Sequence, residues 1–252
     1  MNFLLFRGLV RDQRHWFEFP EAFRKKHPDA KLYFLDFPGT GTESARPSPN
    51  TIAGIRADLV RRFREKIASG EFPRGPWNLI AISLGGMVAM DWVADEPDTF
   101  ERFILINSSA RDCGHVFERF SPAIIPGMTR ALLDFRPEVS ESLILRYTSN
   151  RTRAEQAETE RLMIRWQKEN RVSRQTFLAQ IYAGARFRLP AAPKPRTLIV
   201  HSLGDRLVNP EISRRIATRF RTETRVHPWA GHDLSLDDPH WLAEQIADFV
   251  KT

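Results

Sequence analysis

The chain has 252 residues, 42% of them hydrophobic, and a formal net charge of +7. This length and composition suffice for one domain with a sizeable buried core. No apolar run approaches the ~20 residues that a membrane-spanning helix needs, and the first residues lack the features of a secretory signal. The single cysteine, Cys113, excludes an intrachain disulfide and is compatible with a reducing compartment. We therefore expect a cytoplasmic protein.

Strand-like and helical patterns alternate along the chain, which is typical of an α/β fold with a mostly parallel sheet covered by helices on both faces. The predicted strands lie at residues 3–7, 31–37, 77–82, 102–107, 197–201 and 223–227. Between the second and third strands, apolar residues recur at helical spacing, at Ile52, Ile55, Leu59, Phe63 and Ile67. A last helix begins near Pro239. The sequence thus predicts an α/β domain with about six strands.

A serine lies where the third predicted strand meets the following helix. A nucleophilic serine on such a sharp turn needs small residues two positions before and after it, because the flanking backbones pass close to neighbouring elements. Ala81 and Gly85 meet this requirement around Ser83. Ser83 is therefore the candidate nucleophile, and the alternative is an ordinary turn serine.

Strand patterns are absent from residues 108–194, where helices are predicted to begin near Ser121, Pro137 and Thr152. This segment contains fifteen Arg and Lys against nine Asp and Glu. Because glutamates are interleaved with the basic residues, the simplest interpretation is a solvated, partly ion-paired surface. The alternative is a field that attracts an acidic partner: an acyl carrier protein, coenzyme A or an anionic lipid. No nucleic acid is expected, because aromatic residues do not alternate with the basic ones.

An acidic residue follows the fifth predicted strand. Asp205 lies on the loop that leaves the carboxyl end of this strand, which is a suitable position for the acid that orients a catalytic histidine. Asp112, after the preceding strand, is the positional alternative. A further alternative is that Asp205 only bonds its own turn.

A histidine follows the sixth predicted strand. His232 lies beyond the strand end, beside Gly231, which permits a tight loop. His201 and His227 lie inside strand-like runs, where an imidazole is usually a structural residue. His232 is therefore the candidate base.

The order Ser, Asp, His along the chain is the order found in α/β hydrolases, and the chain resembles this superfamily over nearly its whole length. Two further motifs carry the resemblance. Residues 4–9 are similar to the family's first-strand His-Gly motif, with Arg7 in place of the usual His, and residues 35–41 are similar to its Asp-x-Pro-Gly-x-Gly turn. The chain begins directly at this first strand, so we expect the family's first two strands to be missing.

The resemblance implies a serine hydrolase with a core domain of residues 1–107 and 195–252. Residues 108–194 would then form an inserted helical cap, or lid. The turn at the nucleophile would supply the backbone N–H of Leu84 to an oxyanion hole, and Leu9 would supply the second N–H. No cofactor is expected, and no metal site, because His and Cys pairs at ligand spacing are absent.

We expect hydrolysis of a carboxylic ester or thioester of a small to medium acyl group through an acyl-enzyme. Hydrolysis of lactones or carbon–carbon bonds, and perhydrolysis, use the same triad and stay open. A serine at position 83 excludes the relatives that open epoxides or remove halides with a carboxylate nucleophile. A ligand-binding protein that keeps the fold without turnover is the alternative from a different class.

Overall fold

Six strands form one parallel sheet in the computed structural model, which describes residues 1–251. The strands are β1 (Asn2–Phe6), β2 (Lys31–Phe34), β3 (Trp77–Ile82), β4 (Arg102–Ile106), β5 (Arg196–Ser202) and β6 (Glu223–His227). They lie in the order β2-β1-β3-β4-β5-β6, and each adjacent pair is parallel. The carboxyl ends of the strands therefore meet at one edge, where open α/β sheets bind ligands. The predicted fold class is confirmed.

Helices cover both faces of this sheet. They are α1 (Phe19–Lys26), α2 (Ile52–Ala68), α3 (Leu84–Asp95), α4 (Val116–Arg119), α5 (Ile125–Leu133), α6 (Pro137–Thr148), α7 (Arg153–Glu169), α8 (Arg174–Arg186), α9 (Pro210–Phe220), α10 (Leu234–Asp237) and α11 (Pro239–Lys251). Leu4 and Phe6 of β1 pack with α2, α3 and α9, whereas Phe3 and Leu5 pack with α1 and α11, as the alternation of strand side chains dictates. Within residues 1–251, no helix combines the length and apolar character needed to cross a membrane.

The second strand is shorter than predicted. It ends at Phe34 and not at residue 37, and Asp36 lies in the loop that follows. The Asp36 carboxylate accepts hydrogen bonds from the backbone N–H groups of Gln13 (2.8 Å) and Thr42 (3.0 Å). These contacts join the loop after β2 to the segment that follows β1, outside the strand pairing.

In the described chain, residues 108–194 form helices and loops without a strand. An apolar cluster that includes Val10 and Phe177 joins the loop after β1 to α5, α6 and α8. A buried ion pair makes a second connection, with 2.7 Å between Arg11 Nη1 and Glu141 Oε2. These helices therefore lie over the carboxyl edge of the sheet. Their role as a separate cap domain stays a prediction.

Candidate active site

Ser83 lies on a strained turn between β3 and α3. Its φ is 57° and its ψ is −122°, a conformation that residues with a side chain rarely adopt. Two hydrogen bonds hold it there, because the Ser83 N–H donates to Ile106 O (2.9 Å) and Ser108 Oγ donates to Ser83 O (2.8 Å). The surrounding structure thus stabilises a backbone geometry that places the serine at the edge of a cavity.

Small residues surround this turn for a steric reason. A Cβ atom at Gly85 would lie 2.4 Å from the carbonyl oxygen of Arg7, and one at Gly8 would lie 3.1 Å from the Cβ of Ser83. Ala81 is fully buried. The spacing of small residues around Ser83 therefore reflects the close approach of β1 and its loop to the turn.

The three residues predicted for a triad lie together. His232 Nε2 is 2.8 Å from Ser83 Oγ, and His232 Nδ1 is 2.7 Å from Asp205 Oδ2. The side chains of His232 and Asp205 are only 7% and 2% exposed. Both contacts are short hydrogen bonds between largely buried side chains, the arrangement in which an imidazole held by a carboxylate can accept a proton from a hydroxyl.

Asp205 contacts both its own turn and the candidate base. Its Oδ1 accepts hydrogen bonds from the N–H groups of Leu207 and Val208, each at 2.9 Å, so the carboxylate does bond its own turn. Its Oδ2 is left for His232. The turn therefore fixes the orientation of the oxygen that meets the imidazole.

The alternative residues have other partners. Asp112 Oδ1 accepts from the N–H of Leu189 (2.8 Å), and its Oδ2 lies 3.3 Å from Arg219. His227 lies between the Asp238 carboxylate (3.2 Å) and backbone N–H groups, as a structural histidine does. Burial lowers the pKa of His201. Within residues 1–251, no hydrogen bond joins Asp112, His201 or His227 to Ser83.

The sequence model of the alpha/beta hydrolase family matches residues 3–245 of the chain. The chain belongs to this family. No curated protein matches the sequence closely enough to add a relative.

Solved structures of α/β hydrolases with different reactions resemble the chain. A bromoperoxidase from Bacillus anthracis has a TM-score of 0.79 and 17% identity, covering 100% of this chain and 92% of that one. An enol-lactonase from Burkholderia xenovorans LB400 has a TM-score of 0.75 and 18% identity, covering 100% and 91%. A malate-bound thermophilic esterase from Thermogutta terrifontis has a TM-score of 0.74 and 19% identity, covering 100% and 89%. At these identities, the likeness establishes the fold.

An asparagine at the end of β4 holds the histidine loop of this hydrolase. Asn107 Nδ2 donates to His232 O (2.9 Å), and Asn107 Oδ1 accepts from the N–H of Ser202 at the end of β5 (3.0 Å). Asn107 adopts a φ of 42°, which asparagine tolerates better than most residues. The sequence interpretation missed it and placed Asn107 as the last residue of the fourth predicted strand, although a polar residue at the carboxyl end of a buried strand was an available signal.

Arg7, the departure from the family's usual histidine, also reaches this loop. Its Nη2 lies 2.6 Å from Oδ2 of Asp233, the residue after His232. Both side chains are almost fully buried. An ion pair thus joins the first strand to the loop that carries the candidate base.

The two predicted oxyanion-hole residues line the same cavity as Ser83. Leu84 is the first residue of α3, so its N–H has no acceptor within the helix. Within residues 1–251, the N–H of Leu9 also has no acceptor. The next N–H, that of Val10, donates to Gln180 Oε1 at 2.8 Å. Gln180 is fully buried on α8 and thereby fixes the loop that carries Leu9, a role that sequence alone did not reveal.

A cavity of about 350 Å³ opens at Ser83 and His232. Most of its wall is apolar and comes from residues 108–194. The apolar side chains from this segment include Phe120, Ile124, Ile125, Met128, Phe135, Leu143, Ile144, Phe177 and Ile181. The site therefore combines a hydrogen-bonded serine and histidine with an apolar chamber.

Proposed function

We propose that this α/β hydrolase is a serine hydrolase that cleaves carboxylic esters or thioesters of a small to medium acyl group. The observation that carries the proposal is the hydrogen-bonded series from Asp205 through His232 to Ser83 at the wall of an apolar cavity. A buried series of this kind activates a hydroxyl that is otherwise a weak nucleophile.

In the proposed reaction, Ser83 Oγ attacks the acyl carbon while His232 Nε2 takes the hydroxyl proton. Asp205 holds the imidazole so that Nδ1 donates to the carboxylate and Nε2 accepts. The histidine returns the proton to the departing alkoxide or thiolate, which leaves an acyl-serine. Water then attacks this ester with the same proton transfers, and the free acid leaves.

The developing oxyanion would lie between the N–H groups of Leu9 and Leu84. Main-chain donors fixed before the reaction stabilise this charge without reorganisation, and the loss of one such donor typically costs ~10²- to 10³-fold in rate. Support comes from the position of both residues at the cavity beside Ser83.

The cavity supports the proposed substrate size. About 350 Å³ is near the lower end of the roughly 300–1,000 Å³ range of small-molecule sites. An apolar wall favours an aliphatic or aromatic acyl group over a charged one. The basic excess of residues 108–194 would further attract an acyl donor carried on an acidic protein or on coenzyme A.

The test is hydrolysis of p-nitrophenyl esters and acyl thioesters of increasing chain length, together with a lactone. We expect saturable turnover of the shorter esters, and a loss of at least ~10³-fold in kcat for Ser83→Ala. Ser69→Ala, at an exposed serine directly after α2 that does not line the cavity, is the matched control. Equal activity of Ser83→Ala and the wild type would refute the proposal, and turnover confined to the lactone would move the reaction class to lactone hydrolysis.

A further inference from the structure

The Arg7 guanidinium makes several buried contacts, and two of its partners also contact each other. Besides its contact with Asp233, Arg7 Nη1 donates to Ser235 Oγ at 2.8 Å, and Ser235 Oγ in turn donates to Asp233 Oδ1 at 2.8 Å. The guanidinium lies over the Trp16 ring, 5.0 Å from its centroid. Two parallel contacts to one carboxylate are the geometry in which an arginine fixes its partner most firmly.

The two ends of this pair hold two parts of the candidate active site. The carbonyl oxygen of Arg7 lies against Gly85, in the first turn after Ser83. Asp233 follows His232 directly, and its N–H donates to the carbonyl of Thr148, the last residue of α6. The pair therefore connects the nucleophile turn to the histidine loop. The hydrogen bond from Asp233 to Thr148 connects the same loop to α6.

Asp233 is ionised in this environment. Burial alone would raise the pKa of its carboxyl, but the Arg7 charge and the hydrogen bonds from Arg7 and Ser235 outweigh burial, so that the pKa falls below its usual value. A charged arginine and a charged aspartate then form a pair with no net charge beside the candidate base.

Other charged groups face the histidine loop. Asp205 bonds the imidazole itself. Asp237 accepts a hydrogen bond from the N–H of Gly231 (2.6 Å), and burial raises its pKa. Arg11, a further cation near Asp233, is itself paired with Glu141. Arg7 and Asp233 carry opposite charges, unlike Asp205 and Asp237, which are both acidic. Replacing one residue of the Arg7–Asp233 pair therefore leaves the charge of the other beside His232.

We propose that the Arg7–Asp233 pair positions the base His232 and balances the charge beside it, so that Arg7 is a positioning residue for the reaction. This inference rests on the proposed function. Removing Arg7 leaves Asp233 with the Ser235 hydroxyl as its side-chain donor and with Arg11 as a nearby cation, and the negative charge that these groups retain on Asp233 favours the protonated, inactive base. Removing Asp233 leaves an unpaired cation that favours the neutral base. The two losses therefore have opposite electrostatic signs, although each also loosens the loop.

The experiment is the rate constant of inactivation by a fluorophosphonate, measured against pH. In the wild type, the rate rises with pH as the base loses its proton. For Arg7→Gln, we expect the midpoint of this rise to move up by about one pH unit, and for Asp233→Asn we expect it to move down by about as much. The double variant returns the midpoint to that of the wild type, with a lower maximal rate because the loop is no longer fastened.

Two further variants complete the test. Arg7→Lys keeps the charge and loses the two-point contact, so its midpoint stays at the wild-type value while its maximal rate falls less than that of Arg7→Gln. Arg64→Gln, which breaks an exposed pair with Glu96, is the control and leaves both quantities unchanged. Thermal unfolding of each variant verifies that it is folded. Where Arg7→Gln does not fold, the test is a midpoint that moves down in Asp233→Asn and stays at the wild-type value in Arg7→Lys, and an unchanged midpoint in Asp233→Asn overturns the proposal.

Lower rates with an unchanged midpoint in both single variants, or midpoints that move in the same direction, would overturn the proposal. The pair would then be a purely structural fastening. Absence of any reaction of the folded wild type with the fluorophosphonate would instead contradict the proposed function. The two failures are therefore distinguishable within one data set.

Discussion

At Ser83, backbone strain and close packing occur in the same few residues. The positive φ of this serine is tolerated because neighbouring hydrogen bonds hold the turn, and Gly85 allows β1 to pass within contact distance. Strain of this kind persists only where the surrounding structure over-determines it, and it clusters at functional sites. The turn thus costs stability in order to present a hydroxyl.

We expect Gly85→Ala to destabilise the protein by ~2 kcal/mol or more. The new Cβ would meet the Arg7 carbonyl at 2.4 Å, a backbone atom that cannot move aside, and overpacking costs about 1–3 kcal/mol. Gly184→Ala is the matched control, because it is also a helical glycine but its nearest neighbour is the flexible Leu84 side chain at 3.0 Å. Thermal and urea unfolding measure both, and equal destabilisation would contradict the steric account.

The proximity of Ser83, Asp205 and His232 could be predicted from the sequence because each lies beyond the carboxyl end of a strand that its own local pattern reveals. Arg7 was noticed as a departure from a motif, but its partner could not be named from the sequence. Its partner Asp233 is 226 residues away, and no local pattern pairs two residues at that distance. Gln180 was missed for the same reason, because its acceptor role depends on how α8 packs against the loop after β1.

Among the elements, α8 connects the helical segment to the predicted oxyanion hole. It places the Gln180 amide on the N–H of Val10, next to Leu9. The hydrogen bond is fully buried, so its loss leaves an unpaired N–H in the loop. The geometry of the loop therefore depends on a helix that is distant in sequence.

Gln180→Met is expected to lower kcat by about 10- to 100-fold with little change in KM, because it displaces a donor that acts mainly in the transition state. Gln175→Met, at an exposed position of the same helix, is the control and leaves kcat unchanged. Steady-state kinetics on a short ester measure both. A purely KM effect at Gln180 would show that the residue shapes the acyl chamber and not the oxyanion hole.

The strands and the long amphipathic helices could be predicted because periodicity encodes which faces are buried. The early end of β2 could not, since the local pattern does not show that Asp36, beyond this end, bonds the N–H groups of Gln13 and Thr42. Caps and prolines predicted three helix starts within residues 108–194, near Ser121, Pro137 and Thr152, but not α4 or α8. The way these helices enclose a cavity depends on side-chain packing.

For the whole molecule, stability in acid depends partly on a cluster on α2. Burial raises the pKa of Asp58, but hydrogen bonds from Arg46 and Arg62 outweigh it and lower the pKa to about 2. A carboxyl whose pKa is lower in the folded state stabilises the protein at pH values above its unfolded-state pKa. This contribution is lost as the pH falls through the folded-state pKa.

We therefore expect Asp58→Asn to lower the unfolding temperature at pH 7 by a few degrees. The difference in unfolding temperature between the variant and the wild type should shrink as the pH falls below 3.8, the ordinary pKa of an aspartate carboxyl. It should vanish below about pH 2, where the Asp58 carboxyl is protonated in the folded wild type. Glu65→Gln, at an exposed carboxylate that pairs with Arg61, is the control with a smaller effect at neutral pH. A pH-independent difference at Asp58 would contradict the electrostatic explanation.

The basic surface of residues 108–194 is expected to matter for charged acyl donors only. Turnover of a substrate linked to an acidic carrier protein should fall steeply as salt rises from about 0.05 M to about 0.5 M, because screening shortens the reach of the charges. Turnover of a small neutral ester should change little over the same range. Equal salt dependence for the two substrates would show that these residues form only a solvated, ion-paired face, as the Arg165–Glu169 and Lys168–Glu138 pairs do locally.

The most direct test of an activated serine is the intact mass of the protein after treatment with a fluorophosphonate, with the modified peptide sequenced. We expect one adduct on the wild type, located at Ser83, and none on Ser83→Ala or His232→Ala. Folded wild-type protein that gains no mass, or an adduct that persists on Ser83→Ala, would contradict the account of Ser83 as the nucleophile.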